Sequence, residues 1–322
     1  MANDTYSTES TALSPDEAFA ALGNAVRLQI LRTLGAADEP LAYSDIFDRV
    51  EYDDSSNFDY HLEQLVGHFV SKTEEGYDLW QAGQRVVEAV LSGAITDNPI
   101  LEPTTIDDPC PYCGADTRVA FQQERVEMHC TECSGMGSGG YKNPERDRFD
   151  DHGTLGHFLL PPAGIQDRTA NEVLEAAEDW TATQIYAISR DICPRCSAPI
   201  EYSTKACENH PDDDGRCEQC EHRHAALFTA NCTNCLFELT APVATYLGNH
   251  TELMEFMIVH GIDPRSPQGQ QFVLSSVEES VLSTDPFESR FLYTVDGEAL
   301  TLTVDDSLSV TEATKRHVSD PR

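Results

Sequence analysis

The chain has 322 residues, enough for two or three domains, and its 56 acidic against 21 basic residues leave a net charge of −35. Lysine is scarce beside arginine (4 against 17), the pattern of a surface that carboxylates keep hydrated in molar salt, where self-repulsion is screened beyond about 3 Å. The charge therefore reports the solvent before it reports a partner, and a hydrophobic content of 40% in periodic segments excludes an acidic disordered chain.

No signal peptide and no apolar run of about 18 residues is visible, so a soluble, cytoplasmic protein with no membrane partner is expected. In a reducing cytosol, eleven cysteines with C-x-x-C spacing read as metal ligands, not as disulfides. The expected class is α+β.

Residues 1–13 are polar and read as a disordered lead. Ser14-Pro15-Asp16-Glu17 supplies a helix start, with Ala18, Phe19 and Leu22 on its apolar side. A second helix carries Val26, Ile30 and Leu34, and Tyr43–Val50 is a short third with Ile46, Phe47 and Val50 inward. A fourth begins near Ser55 or Ser56, with Asp59 completing a capping box, and turns Phe58, Leu62, Leu65 and Val66 inward. Its other face carries Asn57, Tyr60, His61 and Gln64 at i, i+3, i+4 and i+7, a stripe of hydrogen-bonding groups suited to a DNA major groove. Short strands at 69–73 and 77–80 around Glu74-Glu75-Gly76, then a helix over 81–92, complete residues 14–93. Helix, helix, short helix, polar-striped helix, hairpin, helix is the order of a winged helix-turn-helix.

Phe19-Ala-Ala-Leu-Gly-Asn-Ala-Val-Arg-Leu-Gln-Ile-Leu-Arg-Thr-Leu34 and Ser56-Asn-Phe-Asp-Tyr-His-Leu-Glu-Gln-Leu65 resemble the opening and the recognition helix of ArsR-type winged-helix transcriptional regulators. With this acid-rich composition, the resemblance is to a regulator of haloarchaeal type. It implies that Ser56, Asn57, Tyr60 and His61 contact double-stranded DNA, that Lys72 sits in the wing, and that the terminal helix helps to form a homodimer. The segment departs from the family's metal sensors in having no cysteine, and it carries five basic against fifteen acidic residues.

Residues 94–109, with Pro99, Pro103 and Pro109, read as a stiff linker. Cys110-Pro-Tyr-Cys113 and Cys130-Thr-Glu-Cys133, joined by strands over 117–122 and 124–129, form a zinc ribbon (110–133) with a closed four-thiolate Zn²⁺ site. Residues 134–192 read as loop and then a helix over 168–189. In a second zinc-binding module (193–235), Cys193, Cys196, Cys207, Cys217, Cys220, Cys232 and Cys235 leave one ligand short of two sites, and His210 supplies it. Two pairings satisfy the spacing. Nested, Cys193/Cys196/Cys232/Cys235 close a ribbon whose tip carries Cys207/His210/Cys217/Cys220. Sequential, Cys193/Cys196/Cys207/His210 precede Cys217/Cys220/Cys232/Cys235. Nesting is favoured because residues 227–235 echo 126–133, and His222 and His224 are then not ligands.

The C-terminal region, 236–322, is expected to be small and α/β. It has a helix over 251–260 (Leu253, Met254, Met257, Ile258 inward), another over 272–282, a hairpin around Asp296-Gly297, and a tail of short strand or helix. No nucleotide loop or nucleophile triad stands out, so no enzyme is expected. The reading is a sequence-specific regulator with about three structural zinc ions and a zinc-ribbon half for effector or protein contact. Its alternative is a general adaptor for the transcription machinery, similar in layout to archaeal transcription factor E.

Overall fold

Caps define the N-terminal helices. In the computed structural model, which describes residues 13–50, 52–137, 153–211 and 215–317, the Ser14 and Glu17 side chains each accept the other's backbone N–H. This reciprocal box starts α1 (Pro15–Leu22). Asn24 Oδ1 accepts from the Val26 and Arg27 amides to start α2 (Ala25–Gly35), and α3 (Tyr43–Val50) follows. The cap of α4 (Ser55–Glu63) is neither serine. Asp54 accepts from the Ser56 and Asn57 amides, because a carboxylate one residue earlier meets the same orphan donors and complements the helix dipole. Hydrogen bonds from the Ser56 hydroxyl and the Asn57 amide hold the Asp54 carboxyl below its ordinary pKa.

The antiparallel strands β1 (Val70–Lys72) and β2 (Tyr77–Leu79) follow, then α5 (Gln81–Leu91). Gly76 turns between the strands at φ 136°, where a Cβ would lie 2.6 Å from the Leu41 carbonyl oxygen. That carbonyl accepts the Tyr77 amide at 2.9 Å, tying the hairpin to the α2–α3 connection. These elements share one core of Ile30, Leu31, Leu34, Ile46, Phe58, Leu62, Leu65 and Val87. Phe58 is its pivot, edge-on to Tyr43 and Phe47 with ring centroids 5.6 and 5.1 Å away. Phe19, expected inward, is 75% exposed; Ala21 is the buried residue of α1.

Residues 94–109 are not a free linker. Residues 100–106 form β3 (Ile100–Ile106), an edge strand in a four-stranded antiparallel sheet ordered β3-β4-β5-β6 with β4 (Thr117–Gln122), β5 (Arg125–Cys130) and β6 (Thr154–Leu159). Pro103 is tolerated because it lies on the edge, where the register slips between Leu101 and Thr104. β6 was not anticipated either. Of the loop expected from residue 134, residues 138–152 lie outside the described residues.

α6 (Ala170–Ile188) opens on a Thr169/Glu172 capping box and spans about 28 Å for its 19 residues. Its first half gives Val173, Leu174 and Ala177 to the core of the first sheet. Its second half gives Ile185 and Ile188 to another core, shared by all that follows. That second core is built from the sheet β7 (Ile200–Ala206), β8 (Ala226–Cys232), β9 (Glu238–Pro242) and the helices α7 (Val243–Leu247), α8 (Thr251–Val259) and α9 (Pro267–Ser275). A meander, β10 (Val277–Thr284), β11 (Phe287–Val295), β12 (Glu298–Asp305) and β13 (Val310–His317), completes it.

Two expectations need correction here, and one left open is settled. The helix expected over 272–282 stops at Ser275, because Val277 to Thr284 alternates half-buried and exposed residues at a period of two and pairs with β11. On α8 the third buried residue is Phe256, and Ile258 is 61% exposed. The tail resolves into strand β13. The β11–β12 hairpin is as expected, Asp296 and Gly297 both taking positive φ (48° and 77°) in a two-residue loop.

The fold is thus mixed α+β, in two compact units, Met1–Asp97 and Asn98–Arg322. No helix among the described residues is long and apolar enough to cross a membrane. Phe58→Ala should cost about 3–5 kcal/mol. In calorimetry at fixed salt it should lower the unfolding transition of the first unit and leave that of the second in place.

Candidate metal centres and the exposed face of α4

The β4–β5 pairing places Thr117 opposite Cys130, which brings the turn before β4 against the turn after β5. In the first turn the Cys110 amide donates to the Ala115 carbonyl, and Gly114 takes φ 74°. In the second, the Glu132 and Cys133 amides both donate to Cys130 Sγ at 3.3 Å. Cys110 and Cys133 then stand 3.6 Å apart, Cys113 and Cys130 3.4 Å.

The same construction recurs on β7–β8. Ile200 pairs with Cys232, the Cys193 amide donates to Ala198, Ser197 takes φ 62°, and the Asn234 and Cys235 amides donate to Cys232 Sγ. Cys193–Cys235 and Cys196–Cys232 are 3.6 and 3.4 Å apart. Cys207, His210, Cys217 and Cys220 gather at the far end of the same two strands, so the pairing is the nested one and the sequential pairing is excluded. Cys207 and Cys217 are 4.0 Å apart, and His210 Nδ1 lies 3.5 Å from Cys220 Sγ.

Each cluster brings four ligand atoms within 4.8 Å of one another. A tetrahedral ion with metal–sulfur bonds of 2.3 Å requires sulfurs about 3.8 Å apart, whereas a disulfide requires about 2.05 Å; all eleven cysteines are free thiols. The imidazole completes the test of fit. His210 Nε2 lies 2.8 Å from the Arg223 carbonyl and donates to it, which leaves the Nδ1 lone pair toward the three thiols. Crowding splits the thiols electrostatically. In the first cluster burial pushes Cys110 up to about 12, while at Cys130, against the burial that raises it, the Glu132 and Cys133 amides bring the thiol down to about 7. A dication relieves that conflict by displacing the remaining protons. Among the described residues there are three sites that can hold metal ions.

On α4 the stripe is largely outward. Ser56, Asn57 and Gln64 are exposed, Tyr60 is 57% exposed, and Gln64 is the C-cap. Asn57 Nδ2 donates to the Tyr52 hydroxyl at 2.6 Å, which fixes its amide. His61 does not belong to the stripe and is corrected. It is 7% exposed, edge-on to Tyr52, with Nδ1 buried and unpartnered. At 100° per residue it lies only about 60° from Phe58, on the margin of the buried face. Lys72 is in the hairpin as expected, but its ammonium is paired with Glu63 at 3.2 Å.

Spacing did not point to Arg223 or Glu279. The Arg223 guanidinium stacks 4.0 Å over the Tyr112 ring inside the first knuckle. The Glu279 carboxylate, on β10, accepts from His224 Nδ1 at 2.6 Å and from the Ala226 amide at 3.0 Å. His222 and His224 lie outside all three ligand sets.

Two predictions follow from these surroundings. Chelation should abolish cooperative unfolding of the second unit and spare the first, measured by calorimetry with and without excess ion. Burial, with Arg27 nearby, lowers the His61 pKa from 6.5. The unfolded state then binds the proton more readily, so stability fully present above about pH 6.5 should be lost as pH falls from there through the lowered folded-state value. Denaturant midpoints of the first unit should show this slope, and His61→Gln should flatten it.

Residues 15–90 match a family model described as a domain of unknown function, DUF7347, and residues 107–310 match another, the domain of unknown function DUF7351. One match falls within each compact unit. No curated protein and no solved structure matches the chain. The DUF7351 match holds all twelve clustered ligands and spans more than half of the sequence, and the chain belongs to that family.

Proposed function

We propose that the chain is a DNA-binding transcriptional regulator. In this reading α2–α5 and the β1–β2 hairpin act as a winged helix-turn-helix, α4 enters the major groove of a promoter operator, and the second unit is an effector or protein-contact module. One observation carries it. α4 is pinned through Phe58 and Leu62, both fully buried, while Ser56, Asn57, Tyr60 and Gln64 stand outward together. An aromatic ring held in solvent beside an amide already oriented by Tyr52 suits base-edge contact better than it suits packing. Exposed Phe19, Leu91 and Ile95 would supply the contact of a homodimer.

Sulfur-rich tetrahedral sets with one imidazole suit Zn²⁺, three per chain, in a structural role. With four protein ligands at each cluster no position is left for a substrate water, so the reading contains no catalytic step.

A second reading draws on the hairpin tip. Glu74 and Glu75 are exposed there, and Lys72 is already paired with Glu63. Such a wing repels phosphates at low ionic strength and fits a general adaptor with the layout of archaeal transcription factor E, working through the transcription machinery.

Chromatin occupancy of the tagged protein, with duplex binding measured at multimolar KCl, separates the two. For the regulator, Asn57→Ala and Tyr60→Ala should each lose discrete peaks and weaken operator binding about 5- to 150-fold, the value of 1–3 kcal/mol per specific contact. Promoter-wide peaks that survive both substitutions would replace the regulator with the adaptor.

A further inference from the structure

Between β7 and β8 the described residues of 207–225 contain no helix and no strand beyond a single bridge from His222 to Gly137. The ligand cage is what closes this segment. From it a run of hydrogen bonds reaches the first cluster. His210 Nε2 donates to the Arg223 carbonyl at 2.8 Å, the Arg223 amide donates to Met136 at 2.8 Å, and Arg223 Nε donates to the Gly135 carbonyl at 3.1 Å. The Gly135 amide in turn donates to Cys133 Sγ at 3.4 Å. The guanidinium covers Tyr112, which lies between the ligands Cys110 and Cys113. Gly137 has no room for a side chain, since a Cβ there would meet the Glu221 carbonyl.

We propose that the Cys207/His210/Cys217/Cys220 cluster is a metal-controlled latch on the first cluster, closed by Arg223, so that a thiophilic dication at either site tightens the other. Binding at the third cluster fixes the His210 ring. The ring fixes the Arg223 carbonyl, and Arg223 then holds Gly135 and Tyr112 where Cys133, Cys110 and Cys113 converge. Thermodynamic linkage makes the effect reciprocal, and couplings of this kind span about 5- to 150-fold. The Cys193/Cys196/Cys232/Cys235 cluster shares none of these bonds and loads independently. Falling metal supply therefore opens the first and third clusters together, while the second empties on its own curve. The proposal rests on metal occupancy and stands or falls independently of what α4 contacts.

Cobalt(II) titration of the full chain against a competing chelator tests it, because S₄ and S₃N cobalt sites differ in visible absorption and, of the two S₄ sets, the first cluster's share is the part lost in Cys113→Ser and the second's the part lost in Cys196→Ser. Cys113→Ser should lower the affinity of the third cluster by at least about five-fold, and Cys220→Ser should lower that of the first by the same factor. In Arg223→Ala, each of these effects should shrink to within about two-fold. Unchanged affinity after emptying the partner cluster, or full interdependence in Arg223→Ala, would overturn the latch. The second cluster is the folding control. If Arg223→Ala loses that cluster too, Arg223→Lys, which keeps the charge but has no Nε–H for Gly135, is read by the same criteria.

Discussion

Tetrahedral closure by side chains far apart in sequence is the constraint on which the larger unit depends. The first sheet has four short strands, and its main apolar cover is the first half of α6. The turns that follow Cys110, Cys193 and Cys232 have no helix or strand of their own to hold them. Ion binding worth on the order of 10–16 kcal/mol in isolated zinc peptides is large beside the few kcal/mol that such turns gain from packing. The two ribbon clusters use the same geometry, a positive-φ residue after one knuckle and paired amide-to-sulfur hydrogen bonds in the other. α6 then carries rigidity from one ribbon to the other, contributing Val173 and Leu174 to one core and Ile185 and Ile188 to the next.

Among its described residues the smaller unit gathers no cluster of metal ligands. Its core closes around Phe58, and four aromatic rings, those of Tyr43, Phe47, Tyr52 and Phe58, bind α3 to α4. That rigidity lets a helix of nine residues present a polar face without help from neighbouring charge. With so many carboxylates nearby, binding to duplex DNA cannot draw on counterion release as most nucleic-acid binders do. In the proposed reading it would depend on direct contacts from Asn57 and Tyr60, in salt concentrated enough to remove the long-range repulsion.

What was legible in the sequence has a common physical character. The ligand sets could be read because C-x-x-C fixes a local turn whatever surrounds it. The cap at Ser14 and the Asp296-Gly297 hairpin are equally local. What was missed depends on partners distant in the chain. β3 contains a proline that only an edge position excuses, and β10 declares itself only beside β11. His61 lies on the boundary between two faces of α4, where periodicity alone cannot assign a side, and Tyr52 and the core decide it. Arg223 belongs to no motif, yet it acts across 88 residues of chain on Gly135.

The account depends most on eleven thiolates and one imidazole closing three cages. X-ray absorption at the metal edge of the purified chain tests this directly. It should give an average first shell of sulfur at about 2.3 Å with one nitrogen for every eleven sulfurs, and no light scatterer attributable to water. An oxygen ligand, or sulfur–sulfur distances near 2.05 Å in place of metal–sulfur bonds, would contradict it.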